Sequence, residues 1–152
     1  MKISISMSAL NALGNTPQKL VKAFENTGFK HFDYSFYSFS DCDNGKYEKE
    51  LNEAREQAEK QGADFVMAHA PYQYNPCRSD DEFEAQVADT RKAIYGCSIL
   101  GIDRITVHAG FGFVENMDKM LEINREYYSR LLPDAEKYGV NLMMENIAEE
   151  IY

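Results

Sequence analysis

Three ionisable side chains sit where apolar runs end: FVMAHAP reaches His69, RITVHAG reaches His108 and NLMMENI reaches Glu145. Imidazole nitrogens and carboxylate oxygens are ligands for divalent metals, and the same groups move protons in catalysis. Each run reads as a short parallel strand that breaks into Pro, Gly or Asn just after its polar residue. Reactive groups carried on successive strand C-termini are the pattern of the mouth of a (β/α) barrel. The chain stops at Tyr152, soon after the third of these strands, so the site reads as half built.

Elements able to position those residues recur along the chain. Strand-like runs begin near Ile3 (ISIS), His31 (HFDYS), Phe65 (FVMAH), Arg104 (RITVH) and Asn141 (NLMME), with a helix-length amphipathic segment in each gap. The first helix is expected to start at Thr16 as N-cap with Pro17 at N1, to bury Leu20, Val21 and Phe24, and to stop at Gly28. Tyr47, Leu51, Ala54 and Ala58 mark a second helix ending at Gly62. A third runs from Asp80 and Asp81 to Gly101, and a fourth ends at Gly139 after Pro133, which should kink it. This rhythm predicts a partial (β/α) barrel of about five parallel strands and four helices, in a single domain over residues 1–152.

Strand parity separates the two α/β architectures that fit. Ile3 and Ile5 share one face of the first strand and Ser4 and Ser6 the other; Ile105 and Val107 similarly oppose Thr106 and His108. A doubly wound sheet, covered by helices on both sides, needs apolar residues on both faces, whereas a barrel tolerates small and polar residues inside. The turn MSALNALGN after the first strand also lacks the GxGxxG of a dinucleotide site. Parity therefore favours the barrel.

Composition narrows the partners. With 152 residues, 44% hydrophobic and 27% charged, the chain suits one soluble α/β unit. No apolar run approaches the ~18 residues of a membrane span, and MKISISMSAL has no secretory-leader pattern. Cys42, Cys77 and Cys97 form no CxxC pair and read as reduced thiols of a cytoplasmic protein. A net charge of -9 disfavours nucleic acid, whose backbone is held by clustered Lys and Arg. A small substrate fits better.

The fragments KISIS, NTGFKHFDYSF, AHAPY, LGIDRITVHAG and YGVNLMMENI, in this order, resemble the xylose-isomerase-like TIM barrels. That superfamily comprises sugar and sugar-phosphate isomerases and epimerases together with the family-two apurinic endonucleases. The resemblance implies a divalent-metal cofactor (Mn, Mg, Co or Zn), with Glu145 as metal ligand and acid/base. For His69 and His108 it implies zinc ligation in the endonuclease branch or substrate hydrogen bonding in the isomerase branch. It further implies ligands on strands six to eight, beyond Tyr152, so that this chain alone is expected to be inactive. The function it implies is sugar or sugar-phosphate isomerisation or epimerisation. An apurinic-endonuclease-like phosphodiesterase and a non-enzymatic half-barrel that self-associates remain as alternatives. Expected partners are a small-molecule sugar or sugar phosphate and either a second copy or the missing C-terminal half.

Aromatic residues crowd the segments after the strands: Phe36, Tyr37 and Phe39, then Tyr72 and Tyr74, then Phe111 and Phe113. They could wall a sugar pocket, with Tyr37, Tyr72 and Phe111 as substrate contacts, or simply pack the loops. Asp41, Asp43, Asn44 and Gly45 resemble the start of a calcium loop but lack its later ligands and read as a polar turn. His31, opening a strand at the opposite end, is expected to be structural.

Overall fold

The structure, a computed structural model, describes residues 3–7, 16–36 and 46–145. Its elements alternate: β1 (Ile5–Ser6), α1 (Pro17–Ala23), β2 (His31–Ser35), α2 (Tyr47–Lys60), β3 (Asp64–His69), α3 (Asp80–Leu100), β4 (Arg104–His108), α4 (Met117–Tyr138) and β5 (Asn141–Glu145). The five strands are parallel and lie side by side in chain order. A doubly wound sheet reverses its strand order at a switch point; here no reversal occurs. Each helix packs on the next, α1 on α2, α2 on α3 and α3 on α4, so together they cover one face. This is a partial TIM barrel.

Local chemistry sets the element ends. Ser79 Oγ accepts the Glu82 backbone N–H at 3.2 Å, and Asp80, Asp81 and Glu82 occupy the positive end of α3. Asn116 caps α4 in the same way, accepting the Lys119 N–H at 2.9 Å. Three expectations are adjusted. The first strand contracts to Ile5–Ser6, and α1 ends at Ala23, with turn residues between it and Gly28. Helix α4 continues through Pro133, the missing N–H costing one backbone bond rather than the helix.

Alternation divides the sheet as the barrel requires. Phe32, Ala68, Ile105 and Val107 face the helices and are fully buried. Asp33, Ser35, His69, Thr106 and His108 occupy the other parity and are only part-buried. Between the helices and strands lie Ile94, Tyr127 and Leu131, all inaccessible; truncating such a Leu or Ile to Ala costs about 2–5 kcal/mol. Strand β5 is different: Met144 shares the outward parity of Val107 but is 63% exposed. No described helix is long and apolar enough to cross a membrane.

One polar group runs through this core and serves the barrel mouth. Gln86 on α3, 2% exposed, donates to the Pro71 carbonyl and accepts the Tyr74 N–H at 3.3 Å. Thr90 and the Tyr127 hydroxyl, 2.8 Å apart, complete the set. A buried amide must be satisfied, and this one is satisfied by the loop that follows His69.

Candidate metal centre

Strand register explains how residues from three strands meet. His69 pairs with Ser35 on one side and Thr106 on the other, and Thr106 pairs with Met143; His108 and Glu145 form the next row up. Strands in a barrel tilt so that alternate strands fill one layer. The tilt lifts Glu145 of β5, two residues beyond Met143, to the level of His69 of β3, with His108 between them. The His108 and His69 Nε2 atoms are 2.9 Å apart, and the Glu145 Oε2 atom is 3.2 Å from the former and 3.4 Å from the latter.

The orientation of the donor atoms suits a cation. His69 Nδ1 lies 2.8 Å from the Ala70 carbonyl, a contact that requires Nδ1–H and turns Nε2 toward the cluster. Burial, reinforced by the neighbouring His69, holds the His108 imidazole below its ordinary pKa against the opposing pull of Glu145. Two imidazoles and a carboxyl group thus converge among the described residues as one possible ligand group. Zn–ligand bonds of ~2.0–2.2 Å in tetrahedral geometry place neighbouring donors about 3.3 Å apart, close to the spacing of this trio. The donor set fits a divalent ion.

The surroundings are built from the loops after β3 and β4. The Tyr72 ring stacks on His108, centroids 4.8 Å apart and planes 27° from parallel. Phe111, Tyr72 and His108 line a cavity of about 180 Å³. Two asparagines pin its rim. Asn75 Nδ2 donates to the Phe111 carbonyl at 2.7 Å while its Oδ1 accepts the Phe111 N–H at 3.2 Å, and Asn124 brackets Gly110 in the same manner at 2.8 and 2.7 Å. Phe36 is 4% exposed and packs beside Tyr34 in the core, and it is not among the residues lining the cavity beside His108. Tyr37, Phe39, Cys42 and the Asp41–Gly45 turn lie outside the described residues.

Asp33 was not anticipated from sequence. It shares the inward parity of Ser35, its Oδ1 is buried without a donor among the described residues, and burial raises its pKa while nearby His69 opposes. The one available signal, an acid of inward parity, was hidden in mid-strand. His31 sits at the far end of β2, where its Nδ1 meets Asp64.

The model of a family described as xylose isomerase-like TIM barrel matches residues 21–152. The chain belongs to this family. A probable endonuclease 4 of Methanoculleus marisnigri is 34% identical over 86 residues, a match covering 56% of this chain and 30% of the relative. A D-tagatose 3-epimerase-like protein superposes with a TM-score of 0.78 at 20% identity, covering 99% of this chain and 55% of its own. The IolI protein with a bound zinc atom gives 0.69 at 15% identity, covering 97% and 52%. The chain thus spans about half the length of these solved structures and its match about a third of the curated relative; the structural likenesses show the fold.

Proposed function

We propose that this xylose-isomerase-like chain is the N-terminal half, residues 1–152, of a divalent-metal-dependent sugar isomerase or epimerase. The observation that carries the reading is the convergence of His69, His108 and Glu145 within 3.4 Å, beside a small aromatic-walled cavity. A bound divalent ion (Mn, Mg, Co or Zn) would polarise a substrate carbonyl and acidify the adjacent C–H. Glu145, half exposed toward the open side, takes up and returns that proton. His108, whose neutral form burial favours, offers its Nε2 to the ion or to a substrate oxygen, and Tyr72, stacked on it, borders that position. His69, its ring fixed by the Ala70 carbonyl, contributes its Nε2.

Charge supports a sugar over nucleic acid. The net charge is -9, and the first turns of α3 and α4, which open toward the mouth, carry Asp80, Asp81, Glu82 and Asp118. Endonuclease-like phosphodiester hydrolysis is the second reading, favoured by both histidines joining Glu145 in one donor set and by the endonuclease 4 relative. The test is a completed barrel loaded with Mn²⁺. Deuterium incorporation beside the carbonyl of a ketohexose in D₂O, with no nicking of abasic-site DNA, is expected; nicking without exchange would overturn the proposal.

For the chain as it stands we propose association. Met144 on the outward side of β5 is 63% exposed, and unpaired strand edges recruit further strands. The other half of a barrel or a second copy would cover them, in the reducing cytoplasm that the buried thiols of Cys77 and Cys97 suit. A compact monomer at high concentration in sedimentation would count against this.

A further inference from the structure

The cavity beside His108 has a chemical bias that the metal centre alone does not define. It lies between the loops after β3 and β4, and its walls include Tyr72, Asn75, Arg78, Phe111 and Phe113. At about 180 Å³ it falls below the roughly 300–1,000 Å³ typical of drug-sized pockets. That is room for one small polar ring or chain.

Phe113 is held in an unusual way. It has φ 57°, following Gly112 at φ 60°, a left-handed pair that L side chains seldom adopt. Its ring is 63% exposed, and the Arg78 guanidinium lies 4.6 Å from its centroid. The rim beneath is fixed by Asn75 and Asn124, and a Cβ at Gly110 would approach Cys77 Sγ to 2.9 Å. These loops are therefore interlocked, and the exposed ring borders a cavity that already exists.

The cationic side chain that lines the cavity is already engaged. Arg78 is the cation among its lining residues, and its NH1 is engaged by Glu82 at 3.0 Å. Glu82 also accepts the Asn75 N–H at 2.9 Å, and that bond, then Arg78, holds its carboxyl below the ordinary range. The N-terminus of α3, where a phosphate could otherwise bind, is occupied by Ser79 and by Asp80, Asp81 and Glu82.

We infer that this cavity is a subsite for the uncharged, hydroxylated portion of a sugar, with Phe113 and Tyr72 meeting its C–H faces, and that it discriminates against a phosphate at that position. The inference rests on the sugar reading above and deepens it. Asn75 fixes the walls, and Arg78 presents Phe113 while Glu82 cancels its pull on anions.

The test uses the whole 152-residue chain in EDTA, with D-fructose and D-fructose 6-phosphate as probes in ligand-observed NMR. D-Fructose is expected to receive saturation from the protein, and D-fructose 6-phosphate to bind at least about tenfold more weakly, because a phosphate losing its water there would meet a guanidinium already neutralised by Glu82. Phe113→Gly, which removes the ring but keeps a residue at ease with positive φ, should weaken D-fructose binding roughly three- to tenfold, the worth of one aromatic contact. Glu82→Gln, which retains an acceptor for the Asn75 N–H, should narrow or invert the discrimination. Tighter binding of the phosphorylated sugar by the wild type, or unchanged D-fructose affinity in a folded Phe113→Gly chain, would overturn the assignment. Because no metal or turnover is involved, D-fructose binding here with a catalytically silent completed barrel would sink the isomerase reading alone. Exchange on D-fructose 6-phosphate, bound preferentially, would sink only the subsite.

Discussion

Histidine meets carboxylate at both ends of this sheet, with different consequences. At the N-terminal ends of β2 and β3, His31 Nδ1 pairs with Asp64 across one strand boundary, and Asp64 is 51% exposed. At the C-terminal ends of β3, β4 and β5, His69, His108 and Glu145 converge with the histidines 21% and 16% exposed. The first is a pair on the stability face; the second is a three-donor cluster walled by loops. Residue chemistry is nearly the same, so position in the staggered barrel separates a surface contact from a candidate ligand site.

The largest effect should come from Glu145. In a completed barrel, Glu145→Gln is expected to keep the fold and lose about 10²–10⁴-fold in turnover, the usual cost of a lost general base. Metal binding should weaken as well, because the amide is neither anionic nor basic. Metal stoichiometry and turnover measured on the same preparation, with circular dichroism for folding, check both. Wild-type values for both would remove the contrast between the two ends.

His108→Asn sharpens it further. If His108 is a ligand, the variant loses metal affinity strongly; if it only contacts substrate, metal stays while KM rises or kcat falls. Isothermal titration with Zn²⁺ separates the outcomes. The loss should be smaller than for Glu145→Gln in turnover, since His69 and Glu145 still face each other at 3.4 Å.

Which of these features sequence could reveal follows from how local each signal is. The runs ending in His69, His108 and Glu145 announce themselves through alternation and flanking breakers, and α3 through Ser79, its acidic first turn and Gly101. The opposed parity of Ile105 and His108 was enough to favour a barrel over a doubly wound sheet, and the unreversed strand order agrees. The centre itself was legible as residue types but not as a distance, because the lift that brings Glu145 level with His69 arises from strand tilt across β4. Asp33 and the clamps made by Asn75 and Asn124 left no periodic trace. Their partners lie far along the chain, as when Asn75 reaches Phe111.

A weaker distinction lies in pH. Burial and His69 disfavour the protonated form of His108 in the fold, while an unfolded chain titrates it near its ordinary 6.5. Below that value the unfolded state binds the extra proton first, so His108 makes stability fall as pH falls from 6.5 toward the depressed folded pKa, and contributes no pH dependence above 6.5. Urea midpoints between pH 5 and 8 should show this decline, and His108→Asn should remove its part of it. A midpoint that rose on acidification through this window in the wild type, and lost that rise in the variant, would reverse the assigned sign.

The smallest effect is expected at the other end of the sheet. His31→Asn removes a contact whose carboxylate partner is half in water, and exposed ion pairs contribute about 0–1 kcal/mol. His31 also lies at the start of β2, at the end of the sheet opposite the metal-competent groups. Urea denaturation should therefore show a midpoint lowered slightly or not at all, with an unchanged slope, since the surface exposed on unfolding is nearly the same. Zn²⁺ affinity should match the wild type within error. Asp64→Asn, which alters the same contact from the other strand, should give the same result. If either variant depressed Zn²⁺ binding as far as His108→Asn does, the ligand site could not be confined to the C-terminal ends of the strands. The difference between the two His–carboxylate clusters would then have to come from something other than their place in the barrel.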